Sequence, residues 1–232
     1  MAQIEYSGRD NLDVMAHAKN YNQFLLNMVL SHAHPNQLIV DFGAGNGTFA
    51  APLAHAQAQS QIVCVETDPI LCAILQNHGL TVVSDLAQLA DNSVDYLYSL
   101  NVLEHIYDDQ ATAKLWFRKL RPGAKLLVFV PAFQFLFTSM DQHVGHYRRY
   151  TRTSLTQVLE RAQFQIGTCQ YVDSLGLLAT LLYKILDQGS GQVNIRMLQI
   201  YDQWVFPLSR HVDKMTQYWL GKNVLVHAIK SY

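Results

Sequence analysis

No single sign of charge dominates the chain: 17 Lys and Arg stand against 18 Asp and Glu, for a formal net charge of −1. A broad basic face of the kind that grips a nucleic-acid backbone is therefore not expected. No apolar run reaches the roughly 18 residues that mark a membrane-spanning helix. The longest such stretch, 175–186, is interrupted by Gly176, Tyr183 and Lys184. The opening MAQIEYSGRDNLD lacks the cationic and apolar regions of a secretory signal. Cysteine is scarce: Cys64, Cys72 and Cys169 are odd in number and at no metal-type spacing, which fits a reducing, cytoplasmic setting. Repeats, low-complexity tracts and long Gly/Ser/Pro linkers are missing too, so a single domain over 1–232 is expected.

Half of the 232 residues are apolar, enough for one substantial core. The periodicity predicts a helix over 13–30, with Val14, Ala18, Tyr21, Leu25 and Met28 on one face and Asp13 as its cap. A short apolar strand at 37–42 then enters a glycine-rich turn, followed by a helix over 48–59. Further strands are predicted at 61–66, 80–83, 95–100 and 125–130, with helices over 69–78 and 108–120 between them. Leu115 and Leu120 are the expected buried residues of the last helix. Continuous apolar strands alternating with amphipathic helices indicate a parallel sheet covered on both faces. The expected class is α/β, Rossmann-like and doubly wound. Its parts are an N-terminal helical cap (1–36), a core (37–131), a loop (132–152) and a helical insert (172–221). A sixth strand is predicted at 164–171 after a helix over 153–162. A seventh, at 223–229, is expected to lie beside the sixth, antiparallel to the rest.

The chemistry begins at Val40–Thr48, VDFGAGNGT. Gly43, Gly45 and Gly47 allow a sharp strand-to-helix turn and a close approach of backbone to a ligand. The dinucleotide fingerprint wants Gly or Ala where Thr48 stands, and it is missed. Asp41 would repel a diphosphate but suits the ammonium and sulfonium charges of S-adenosylmethionine. Glu66 ends the second strand about twenty residues on, where an acid accepts from ribose hydroxyls. Asp85 stands where an acid could take an adenine amino group, and Leu86 where it could cover the ring.

Taken together, these stretches resemble the class I S-adenosylmethionine-dependent methyltransferases. VDFGAGNGTFA is similar to the family's first motif, VETDP to the ribose-binding segment, SLNVLEHI to the fourth-strand motif, and LRPGAKLLVFVPA to the helix–turn–fifth-strand stretch. The resemblance runs from about Gln37 to Pro131 and more loosely beyond. It implies cofactor contacts at Asp41, Gly43, Ala44, Gly45, Gly47, Glu66, Thr67, Asp85, Leu86 and Asn101. Within the superfamily it looks most like the small-molecule type that includes quinone methyltransferases, with the acceptor itself unidentified. The Asn-Pro-Pro-Tyr motif of amino-group methylation is absent, Asn101-Val102-Leu103-Glu104 standing in its place. A nucleotide-binding oxidoreductase and a non-catalytic scaffold are the alternative readings.

Methyl transfer is an in-line displacement in which the protein chiefly aligns the reactants and excludes water. A base is needed only when the nucleophile arrives protonated. The candidates are His105, just beyond the fourth strand, and His143 and His146 in DQHVGHYRRYT. Tyr147, Arg148 and Arg149 of that segment are expected to line an acceptor pocket, where Arg148 or Arg149 would hold an acidic or phosphorylated acceptor through forked hydrogen bonds. The structural alternative is that Arg149 pairs with an acid and Tyr150 packs before the next helix. Asp141, His143 and His146 are too sparse a set for a metal, and none is expected. Tyr21 or Arg9 of the N-terminal helix stands as a reserve contact for the amino-acid carboxylate. The apolar stripe Leu177, Leu178, Leu181, Leu182 and Ile185, with Trp204, Phe206, Tyr218 and Trp219, suits plain core, an acceptor roof, a homodimer face or a membrane surface.

Overall fold

A computed structural model describes residues 9–186 and 194–231. Its centre is a seven-stranded sheet in the order β3-β2-β1-β4-β5-β7-β6. The strands are β1 (Leu38–Phe42), β2 (Gln61–Val65), β3 (Thr81–Val83), β4 (Val94–Leu100), β5 (Leu120–Pro131), β6 (Phe164–Val172) and β7 (Asn223–Lys230). β1 to β5 pair in parallel, whereas β7 runs antiparallel between β5 and β6. Every residue of β4 is buried, Asp95 and Ser99 included, as expected of a central strand covered on both faces. Neighbouring β1 residues serve opposite faces: Val40 packs with Leu97, Trp116 and Leu155, Ile39 with Leu25, Leu53 and Phe129.

The helices are α1 (Arg9–Met15), α2 (Lys19–Leu30), α3 (Ala50–Ala56), α4 (Pro69–Asn77), α5 (Asp109–Lys119), α6 (Ser139–His143), α7 (Arg152–Arg161), α8 (Ser174–Leu186), α9 (Ile195–Ile200) and α10 (Phe206–Thr216). A π-helical turn at Tyr201–Val205 joins α9 to α10, just before Pro207, which cannot donate a backbone hydrogen bond. The expected insert helix is thus in pieces, and its part at 187–193 lies outside the described residues.

Two predicted helices differ from those observed. The one expected over 13–30 breaks after Met15, because α2 is capped from far along the chain. Ala18 has no side-chain oxygen, and Asp202 supplies it, accepting from the Asn20 and Tyr21 amides at 2.9 Å each. Asp13 is an exposed residue inside α1, not a cap. The helix expected over 48–59 shortens to α3, because the Asn46 side chain takes the Thr48 amide (3.3 Å) and hydroxyl (2.7 Å). In α5, Leu120 just beyond it is buried as expected, Leu115 only partly, and Trp116 fills the core.

Strand order reverses between β1 and β4, whose outer neighbours run away in opposite directions. Helices and loops leaving these two strands at their carboxyl ends diverge and open a crevice there, the usual ligand position in open α/β sheets.

Candidate active site

A cavity of about 500 Å³ occupies that crevice, ample for a nucleoside-sized ligand and a small second molecule. Its walls come from α1, α2, the turn after β1, the ends of β2 and β4, and the segment from Met140 to Arg149.

At one end stands Asp41, the penultimate residue of β1. Its carboxylate is buried, and Oδ2 has no hydrogen-bond partner among the described residues. Burial pushes its pKa up to about 7; the neighbouring Tyr98 hydroxyl opposes this and the Glu66 charge adds to it. An orphaned buried carboxylate facing a cavity calls for a cationic ligand.

The glycine turn explains which ligand it does not serve. Gly43 and Gly45 have φ of +81° and +56°, in the left-handed region. A side chain on Gly43 would meet Val102, its Cβ lying 2.7 Å from Cγ1. The Gly43 and Ala44 amides donate to the Val65 carbonyl at 2.9 and 3.2 Å, and the Gly45 amide to Glu66 Oε2 at 2.9 Å. Amides that would cradle a pyrophosphate are therefore already committed within the protein. Gly47 does not border the cavity; its φ of +85° brings the turn against Leu75 of α4.

Glu66 Oε1 accepts from the Thr67 and Asp68 amides at 2.7 and 2.9 Å. With Gly45, that fills three of a carboxylate's roughly four acceptor positions, leaving one for a ligand hydroxyl. Glu66→Ala should release the turn as well as the ligand contact, weakening S-adenosylmethionine binding by about tenfold or more. Calorimetry reads this directly, and unchanged affinity would remove Glu66 from the site.

Thr67 and Asn101 also border the cavity, with Asn101 at φ +55° and its side chain beside the Tyr21 hydroxyl. Tyr21 lines the cavity while packing edge-on against Phe129 and Phe206. Asp85 and Leu86 do not border it. The Asp85 carboxylate caps the turn at Leu86–Gln88 by accepting from the Ala87 amide at 2.7 Å, and Leu86 is sealed in the core. The Arg9 side chain lies outside the described residues.

At the other end the loop over 132–152 folds around Asp141. Its Oδ2 accepts from the Thr138 amide (2.7 Å) and hydroxyl (2.9 Å), starting α6 with a capping box. Arg149 grips both carboxylate oxygens at 2.8 Å, and His146 Nδ1 meets Oδ1 at 2.6 Å. Burial alone would raise the Asp141 pKa, but the bonds from His146 and Arg149 together hold it far below the usual carboxylate range. An ionised acceptor at Nδ1 places the proton there and leaves Nε2 of a neutral His146 as the basic atom. That nitrogen lies 3.9 Å from Glu104 Oε1.

Glu104 is completely buried, both its oxygens lack hydrogen-bond partners among the described residues, and it lines the cavity. Burial pushes its pKa up to about 8, against the pull of the Arg149 charge. Sequence reasoning passed over it, because a Glu in a Leu-Glu-His turn carries no sign of burial. His105 stands edge-on to His146 with ring centroids 4.4 Å apart, bonded to the Val144 carbonyl. Burial and the neighbouring His146 push its pKa down to about 4. Glu104, His105 and His146 hold ligand atoms within 4.8 Å of one another, a different trio from Asp141, His143 and His146, too sparse a set for a metal on sequence grounds.

The remaining predicted acceptor residues are placed elsewhere. Arg148 turns outward to Asp109 (2.8 Å) and the Tyr107 carbonyl (2.6 Å), outside the cavity wall. Tyr147 is exposed and packs edge-on against Tyr107. His143 is exposed on α6 and does not border the cavity. Arg149 does border it, but its guanidinium is bound to Asp141, which is the structural role weighed for it above. Asp141 makes the split: its carboxylate draws both His146 and Arg149 to the cavity side, while Asp109 draws Arg148 outward.

Residues 40–128 match the family model described as a methyltransferase domain. A probable S-adenosylmethionine-dependent methyltransferase of Mycolicibacterium smegmatis is 28% identical over 160 residues, 64% of this chain and 58% of that one. A ubiquinone biosynthesis O-methyltransferase of Xanthomonas oryzae is 29% identical over 100 residues, 39% of this chain and 41% of that one. The chain thus spans about half the length of the curated relatives it matches. Among solved structures, a chain of the Haloferax volcanii complex between the Trm112 methyltransferase activator and its candidate methyltransferase superposes at TM-score 0.69. It is 11% identical, with 100% of both chains covered. Haemonchus contortus phosphoethanolamine N-methyltransferase 2, solved with S-adenosyl-L-methionine, gives 0.61 at 18% identity over 92% of this chain and 53% of that one. Over residues 40–128 the chain is thus similar to a methyltransferase domain, and its curated relatives and structural neighbours carry methyltransferase names.

Proposed function

We propose that the protein transfers a methyl group from S-adenosylmethionine to a hydroxyl of a small acceptor. The observation that carries this reading is the Asp141–His146 pair, which presents a basic ring nitrogen to the same cavity that Asp41 enters from the other side. When bound, S-adenosylmethionine supplies an electrophilic methyl, so the protein need only bind, align and manage one proton. Asp41 would hold the donor's positive charge, Glu66 its ribose hydroxyls, and Asn101 and Tyr21 would border its amino-acid end. His146 Nε2 accepts the acceptor's hydroxyl proton while Asp141 keeps the ring oriented and stabilises the imidazolium that forms. Glu104 retains its proton near neutral pH and donates a hydrogen bond to the acceptor. Lys222 also borders the cavity, but burial lowers its pKa, and the Arg149 charge is offset by Asp141, so neither selects for a particular charge on the acceptor. The oxygen chemistry in the names of the Xanthomonas relatives agrees with a base-assisted reaction.

A second reading follows from the spacing of Glu104, His105 and His146: a divalent cation there would acidify the hydroxyl in place of a base. Turnover of labelled S-adenosylmethionine with a panel of hydroxy and amino compounds, with and without chelator, separates the possibilities. Methyl transfer to hydroxyls that survives chelation supports the His146 base; loss on chelation, restored by metal, supports the cation. Transfer confined to amines would defeat both.

A further inference from the structure

The helix formed by α9, the π turn and α10 is oriented against ordinary expectation. Its inward stripe carries Asp202, Phe206, Ser209 and Asp213, all buried. The two acids are needed there: Asp202 caps α2, and Asp213 caps α8 by accepting from the Asp173 and Ser174 amides at 2.9 and 2.8 Å. The opposite stripe faces solvent and carries Ile200, Trp204, Leu208 and Met215. Trp204 is 69% exposed and Met215 76%, and Trp219 just beyond is 71% exposed. On α8, Leu178, Leu182 and Ile185 are exposed as well, at helical spacing. Of 17 exposed large apolar residues among those described, 12 fall between Leu178 and Leu220. Apolar surface so concentrated marks a contact site, and dull core, the commonest fate of such a stripe, is ruled out by its exposure.

Charge decides what covers it. Within 174–186 and 194–222 the acids are Asp202 and Asp213, both buried, whereas Lys184, Arg196 and Lys214 are exposed. The surface charge of the described residues of this element is thus of one sign on a chain of net charge −1. Two copies meeting face to face about a twofold axis would set like charges against each other. An anionic bilayer surface would instead accept the lysines and arginine at its headgroups, the Trp and Tyr rings at its interface, and the aliphatic stripe beneath. No described helix is long and apolar enough to cross a membrane, so the contact would lie along the surface.

We infer that the outer face of α8–α10 docks the protein on anionic phospholipid membrane. This does not depend on which acceptor is methylated. Flotation of the full chain with phosphatidylcholine vesicles, with or without phosphatidylglycerol, tests it. Binding to the anionic vesicles should be at least about tenfold tighter and should weaken with salt. Tryptophan emission should shift blue and be quenched by brominated lipid, since Trp116 is sealed in the core and the change reports Trp204 and Trp219. Trp204→Glu with Leu208→Glu should abolish flotation while leaving S-adenosylmethionine binding intact. Should that variant misfold, the exposed pair Arg196→Glu and Lys214→Glu should still lower anionic binding about tenfold. No flotation with either vesicle, or equal flotation with both, would overturn the inference. So would a dimer in solution that Trp204→Glu splits without vesicle binding, which would give the face to a second copy.

Discussion

Asp41→Asn should lower affinity for S-adenosylmethionine by about 10- to 100-fold at pH 8, the range expected for a buried hydrogen-bonded charge. Below pH 6 the loss should be much smaller. With its pKa pushed up to about 7, Asp41 in the unliganded protein is largely protonated at pH 6 and ionised at pH 8. A cationic ligand prefers the ionised form, so wild-type affinity should rise across that interval and binding should release a proton. The Asn variant cannot ionise and should show neither effect. The folded-state pKa lies above the unfolded one, so the folded protein holds its proton longer than the unfolded chain. Stability of the unliganded protein is therefore lost as pH rises from about 4 to 7, and Asp41→Asn should melt above wild type at pH 8. Calorimetry in buffers of different ionisation enthalpy counts the released proton. A pH-independent affinity in wild type would show that Asp41 does not face the donor's charge. S-Adenosylhomocysteine keeps the ammonium but lacks the sulfonium, so comparing the two ligands tells which cation the carboxylate meets.

His146→Ala should lower kcat by about 100- to 10,000-fold, the usual worth of a positioned base, with cofactor affinity nearly unchanged. A structural role would not respond to pH in the way a missing base does. In the variant, activity should climb as pH approaches the acceptor hydroxyl's own pKa, because the ionised acceptor needs no base. His146→Ala turnover that stays flat with pH, or that matches wild type, would remove His146 from the chemistry. Asp141→Asn should also reduce turnover but through more than orientation, since the same carboxylate holds Thr138 and Arg149. Its loss should loosen the whole acceptor loop, and it should melt lower than His146→Ala.

Much of the cavity wall proposed to hold the donor was legible in the sequence. Asp41, Gly43, Ala44, Gly45, Glu66, Thr67 and Asn101 all border the cavity, because each sits at a strand end that periodicity can locate. Gly47, Asp85 and Leu86 do not, though their local patterns are the same as those of cofactor residues. A turn of three glycines cannot say which of them faces a neighbouring helix, and an acid after a strand caps a turn as readily as it meets a ligand. The acceptor half was legible as a cluster and not as roles. DQHVGHYRRYT announced a functional segment, yet only folding around Asp141 decided that His146 and Arg149 face inward while Arg148, Tyr147 and His143 do not.

Local pattern alone determined the alternating α/β order, the covered sheet and the acidic glycine turn. These follow from periods of two and about 3.6 residues and from backbone conformations that few residues adopt. Tertiary structure decided where α2 begins, since its cap is 182 residues away in the chain. It also decided that Glu104 is buried, which raises its pKa, and that a helix turns acids inward and tryptophan outward. Burial and ionisation of this kind depend on groups distant in sequence, and no spacing rule within a segment can carry that information.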